Sequence, residues 1–147
     1  MGLVRSSASS SPILVDTSFL VSVYDKREVR HLRCMAALAD VQRRLVTCEP
    51  VVTQATYHLR RIPKAQQAIL DSIERGILEL PFCLSDAARD VAELMVKYAD
   101  TPCDLADACL IAMAGRLGTS DILTLDSDFK HYRWRRTRRF NLLVPLD

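Results

Sequence analysis

Carboxylates interrupt the apolar segments of this sequence at positions where an isolated charge is costly. In ILVDTSFL, residues 13–20, the run Ile13-Leu14-Val15 stops at Asp16, and Thr17 and Ser18 follow. In CDLADACLIAMA, residues 103–114, every residue except Asp104 and Asp107 is apolar or small. In TLDSDF, residues 124–129, Asp126 closes an apolar run and Asp128 lies two residues on. A carboxylate beside a low-dielectric core must be capped, hydrogen-bonded or neutralised by a cation. Capping accounts for each one taken alone. Asp104 suits an N-cap, Asp107 complements a helix dipole, Asp126 suits a turn, and Asp16 has Thr17 and Ser18 as local partners. Gathered at one place, such charges would repel one another and be desolvated, and one or two Mg²⁺ or Mn²⁺ ions would relieve both costs. Hard cations prefer oxygen ligands, and no His or Cys pattern nearby competes for a softer metal. A carboxylate-held ion that keeps bound water suits phosphodiester hydrolysis.

What would gather them is the order of elements. Residues 13–15 read as a buried strand, and a short helix runs from Thr17 to about Tyr24. A helix over 29–43 would place Val29, Leu32, Met35, Ala36 and Ala39 on one face. Further strands are expected at 45–48, 77–80, 122–125 and 142–144. Between them, Pro50 opens one helix, a second spans 64–75 and closes at Gly76, and Ser85 caps a third. The apolar helix from Asp104 to Leu117 ends at Gly118. Short apolar strands alternating with helices predict an α/β protein whose parallel sheet is covered on both faces. Ligands bind such sheets beyond the carboxyl ends of the strands, and that rule brings Asp16 and Asp126 to one rim.

The 147 residues are 49% hydrophobic and 26% charged, the profile of one ordered domain, taken as residues 12–147 after a loose Ser-rich leader over 1–11. No apolar run approaches the ~20 residues of a membrane span. The five cysteines show no zinc spacing and read as reduced core thiols of a cytoplasmic protein. The net charge is only +2, but Lys130, Arg133, Arg135, Arg136, Arg138 and Arg139 crowd into KHYRWRRTRR. That tract suits RNA phosphates, with Tyr132 or Trp134 stacking on bases. Its alternative is a solvated loop in which Trp134 packs on the sheet edge. His31 and His58 read as surface or packing residues; the alternative for His58, one helical turn after Gln54, is that it faces the site.

The stretches ILVDTSFL, EPVVTQATYHL, DLADACLIAMAGRLG and ILTLDSDFKHYR together resemble the PIN-domain ribonucleases, in particular the VapC-type toxins of VapBC toxin–antitoxin pairs. The resemblance spans about residues 12–147. It implies a three-layer α/β/α sandwich with about five parallel strands and a Mg²⁺- or Mn²⁺-dependent endoribonuclease. It also implies a homodimer and a small antitoxin that blocks the site. Asp16, Asp107 and Asp126 match the family's catalytic carboxylates. Asp104 and Asp128 match positions that are often acidic and serve as metal ligands or their neighbours. Thr17, Ser18 and Thr124 match polar positions beside the site. Gln54 stands where the family usually has Glu. The amide keeps one carbonyl oxygen but loses the charge, so it binds a cation less well and cannot act as a base.

Gln54 therefore keeps a second function in view: a catalytically weakened PIN domain that binds RNA or protein. A phospho-accepting receiver also sets aspartates around Mg²⁺ at strand ends. Here, however, the third strand runs into Pro81-Phe82 and the last into Pro145. A DxDxT phosphohydrolase is excluded, because Thr17-Ser18-Phe19 follows Asp16.

Overall fold

The computed structural model describes residues 11–146, so the expected leader, apart from Ser11, lies outside the described residues. Five short strands form a parallel sheet: β1 (Ile13–Val15), β2 (Leu45–Val46), β3 (Leu78–Glu79), β4 (Asp121–Leu123) and, last in the chain, β7 (Asn141–Leu142). Their order is β3-β2-β1-β4-β7, and every neighbouring pair is parallel. Six helices flank the sheet: α1 (Thr17–Tyr24), α2 (His31–Ala39), α3 (Glu49–His58), α4 (Pro63–Glu74), α5 (Leu84–Lys97) and α6 (Leu105–Leu117). This is the expected α/β/α sandwich of about five parallel strands.

Parallel strands are covered on both faces, which is why Ile13, Leu14, Val15, Ile122 and Leu123 are continuous apolar runs and all buried. From β1 the chain moves outward to β2 and β3, then returns to place β4 and β7 on the other side of β1. The crevice of such a sheet opens where the strand order reverses, between β1 and β4. Asp16 follows β1 there, and its backbone N–H donates to the Leu123 carbonyl across the gap (3.0 Å). The most buried helix is α6, with Ala106 to Ala114 buried without a break. Gly118 ends it in the left-handed conformation (φ 67°) that a residue without a Cβ adopts freely.

Several local expectations need correction. The second helix is shorter than 29–43, and its apolar stripe is not its inner face. Val29, Leu32 and Met35 are 95%, 80% and 40% exposed, while Cys34 is buried. The helix expected to be capped by Ser85 begins at Leu84, and Ser85 instead lies 3.1 Å from the exposed Cys83 thiol. Cys34, Cys48 and Cys109 are buried free thiols, but Cys83 is exposed and Cys103 half-buried. The basic tract is neither a plain loop nor a base-stacking platform. Ser127–Lys130 form a 3-10 turn, and β5 (Arg133–Trp134) pairs antiparallel with β6 (Arg138–Arg139) as a hairpin. Tyr132 and Trp134 are 0% and 3% exposed, so neither can stack on an RNA base.

Candidate active site

Four elements bring the carboxylates together. The end of β1 supplies Asp16, the start of α6 supplies Asp104 and Asp107, and the connection after β4 supplies Asp126 and Asp128. Gln54 projects from α3. All six line one pocket of about 460 Å³ at the carboxyl edge of the sheet. Thr17 and Ser18 line it as well, and so do His58 and Arg30.

Capping and site-building prove to be compatible, because a carboxylate has two oxygens. Asp16 Oδ1 accepts from Thr17 N–H (2.8 Å), Asp104 Oδ1 from Asp107 N–H (2.9 Å) and Asp126 Oδ1 from Asp128 N–H (2.9 Å). Each bond starts a helix or a 3-10 turn, and each turns a side chain toward the pocket. The polar neighbours then knit β1 to β4. Thr124 Oγ donates to Asp16 Oδ2 (2.6 Å) and accepts from Asp126 N–H (3.0 Å). Ser18 Oγ accepts from Leu125 N–H (2.9 Å). Asp126 itself sits three residues beyond β4 rather than at its end.

Gln54 is a bridge. Its carbonyl accepts from Thr17 Oγ (2.8 Å), and its amide donates to Asp104 Oδ2 (2.8 Å). A Glu at this position could not make the second bond without a proton or a cation between two carboxylates. Tyr132, whose part the sequence did not disclose, is buried and donates from its hydroxyl to Asp107 Oδ2 (3.1 Å). Its ring packs edge-on against Tyr98 and Phe129. The only advance signal was an aromatic residue three positions after Phe129.

Burial sets the electrostatics of the site. It pushes the Asp107 carboxyl up to about 8, with the charges of Asp104 and Asp16 adding to it and the Tyr132 hydrogen bond opposing it. Burial likewise pushes Asp16 up to about 6, against the hydrogen bonds from Thr124 and Thr17. Asp126 is raised too, chiefly by burial. Among the described residues no basic side chain forms an ion pair with Asp16, Asp104, Asp107, Asp126 or Asp128. Oxygen donors strained by mutual repulsion fit a hard divalent cation. No three acidic, imidazole or thiol groups among the described residues stand close enough to form a ready coordination sphere. That spacing fits an ion held partly through its own water, as Mg²⁺ commonly is.

The basic tract lies elsewhere. None of its six cations lines the pocket. Arg135 Nε and Nη2 donate to the Gly115 carbonyl at the far end of α6 (3.1 and 2.8 Å). Arg133 Nη1 donates to the carbonyls of Lys130, His131 and Tyr132. Arg138 lies over the Trp134 ring at 5.2 Å. The side chains of Lys130, Arg136 and Arg139 make no ion pair or hydrogen bond among the described residues.

A parallel sheet of order β3-β2-β1-β4-β7 with an acidic pocket at its switch point defines the class, and a PIN-domain family model matches residues 13–135. The chain belongs to the PIN-domain family. It is 30% identical over 139 residues to Ribonuclease VapC26 of Mycobacterium tuberculosis, a match that covers 91% of this chain and 93% of that protein. Its fold matches the crystal structure of VapC20 from the same organism, a sarcin–ricin loop cleaving toxin. The TM-score is 0.75 at 20% identity, over 81% of this chain and 93% of that one.

Proposed function

We propose that this chain is a VapC-type endoribonuclease that hydrolyses RNA phosphodiester bonds with Mg²⁺ or Mn²⁺. The observation that carries the reading is the convergence of Asp16, Asp104, Asp107, Asp126 and Asp128 on one pocket, with no basic side chain paired to them among the described residues. Asp16, Asp107 and Asp126 would hold the ion, with Asp104 and Asp128 beside them. When bound, the ion supplies Lewis-acid polarisation of the phosphate and a water of lowered pKa. The chain's own groups do the rest. Thr124 and the Thr17 N–H fix both oxygens of Asp16, and Tyr132 fixes one oxygen of Asp107 and leaves the other to the pocket. Lys130, Arg136 and Arg139 are the members of the basic tract left free to meet RNA phosphates beyond the pocket.

The toxin reading adds a small antitoxin, self-association and a cytoplasmic setting. Among the described residues no helix is long and apolar enough to cross a membrane. One observation favours a weakened enzyme that binds RNA or protein: the Gln54 amide already occupies Asp104 Oδ2 and brings no negative charge. The test is cleavage of a mixed RNA pool with Mg²⁺ or Mn²⁺ by the chain as written, by Gln54→Glu and by Asp107→Asn. The expected order is strong cleavage by Gln54→Glu, weak cleavage by the chain as written and none by Asp107→Asn. If Asp107→Asn matches the others, the metal-site reading fails. If none cleaves and all bind RNA equally, the binding-module reading replaces it.

A further inference from the structure

RNA entering the pocket carries a negative charge at every phosphate, and the pocket wall carries six carboxylates, Glu28 and the five aspartates. An ion at the carboxylates can serve the scissile phosphate, but the neighbouring phosphates still face an acidic surface. The basic tract does not answer this, because none of its cations lines the pocket. Arg30 is the one Lys or Arg among the described residues that does.

Three observations make Arg30 a built feature. Its guanidinium makes no ion pair or hydrogen bond among the described residues, although Glu28 and Asp126 line the same pocket. The connection that carries it is anchored. His31 Nδ1 lies 2.7 Å from the Ser22 carbonyl, Glu28 N–H donates to the Asp25 carbonyl, and His31 N–H donates to the Glu28 carbonyl. Arg30 is also only half-buried, so it can reach a ligand without giving up a protein partner. A guanidinium without a protein partner, carried on an anchored backbone, can match a phosphate through two parallel hydrogen bonds.

We propose that Arg30 binds an RNA phosphate flanking the scissile bond and so positions the strand against the carboxylates. The proposal rests on the nuclease reading, and its test separates the two. In the Asp107→Asn background, binding of a labelled single-stranded RNA is measured across a NaCl series. Arg30→Ala is expected to weaken binding about tenfold or more and to lower the slope of log K against log[NaCl] by about 0.7. Arg30→Lys should restore part of the affinity. Arg89→Ala, an exposed residue of α5 outside the pocket, should match the parent. In the cleaving protein, Arg30→Ala should raise KM with little change in kcat, since a flanking contact serves substrate and transition state alike. Equal affinity and salt slope for Arg30→Ala and parent overturn the proposal whether or not the chain cleaves. Cleavage with an unchanged KM overturns it and leaves the nuclease reading standing. An RNA that binds neither protein overturns both.

Discussion

The two ends of α6 carry opposite charge and treat it in opposite ways. At the N-terminal end Asp104 and Asp107 meet Asp16 and Asp126, and the side chains that hydrogen-bond them, Gln54, Thr124 and Tyr132, are neutral. At the C-terminal end, about 12 Å away along the axis, Arg116 pairs with Asp90, Arg135 caps the Gly115 carbonyl, and Arg135 and Arg138 flank Trp134. Charge is dense at both ends. Around the C-terminus of α6 the charges of Arg116 and Arg135 are already engaged, while at the acidic end the carboxylates have no cationic partner among the described residues. The comparison shows that uncompensated charge, rather than charge density, marks the site.

The largest expected effect breaks the acidic end. Asp107→Asn in a cleaving background should lower the cleavage rate about 10²-fold or more, measured as initial rates on RNA with Mg²⁺. Gln54→Glu should act in two directions. Cleavage should rise, while without metal the protein should lose about 1–2 kcal/mol in urea unfolding. The reason is that an amide that donates to Asp104 becomes a second carboxylate facing it. If Gln54→Glu stabilises the metal-free protein, the bridge is not what holds Thr17 and Asp104 together.

Where the basic end is already engaged within the protein, it should respond in stability alone. Arg135→Ala removes a two-pronged cap on Gly115 and should cost about 1–2 kcal/mol in urea unfolding, with cleavage rates unchanged. A large loss of cleavage with intact stability would make that end part of the substrate path. Arg136 has a left-handed backbone (φ 72°) without the freedom of glycine. Arg136→Gly should therefore raise stability slightly, by about 0.5 kcal/mol, while weakening RNA binding if Arg136 meets a phosphate.

How much of this was legible in the sequence differs between the two ends for a physical reason. Asp16 could be read because burial forces parallel strands into apolar runs whose carboxyl ends share an edge; Asp126 reached the same edge through the connection three residues past β4, and Asp107 was legible as a charge inside an otherwise apolar helix. The β5–β6 hairpin could not be read, since its turn places Arg135 and Arg136 at positive φ where Gly or Asn would have signalled it. Tyr132 was hidden inside a charge run, where an aromatic reads as surface until its packing is seen. The stripe Val29-Leu32-Met35 had helical spacing yet faces solvent, because periodicity defines a face but not what covers it. Gln54 was legible only as a departure from a family pattern; the Thr17–Gln54–Asp104 bridge required three elements to be placed.

Metal-coupled thermal stability tests the central claim most directly. Asp16 and Asp107 are raised to about 6 and about 8 from an ordinary value near 3.8. Their protonated forms are favoured by folding, so their contribution is complete below pH 3.8 and is lost as pH rises through 6 and 8. Without metal, Tm should fall between pH 5 and pH 8.5. Mg²⁺ or Mn²⁺ binds the ionised carboxylates and should raise Tm far more at pH 8.5 than at pH 5, with Asp107→Asn removing most of that gain. A Tm insensitive to both ions at pH 8.5, or a gain that survives in Asp107→Asn, would contradict the account.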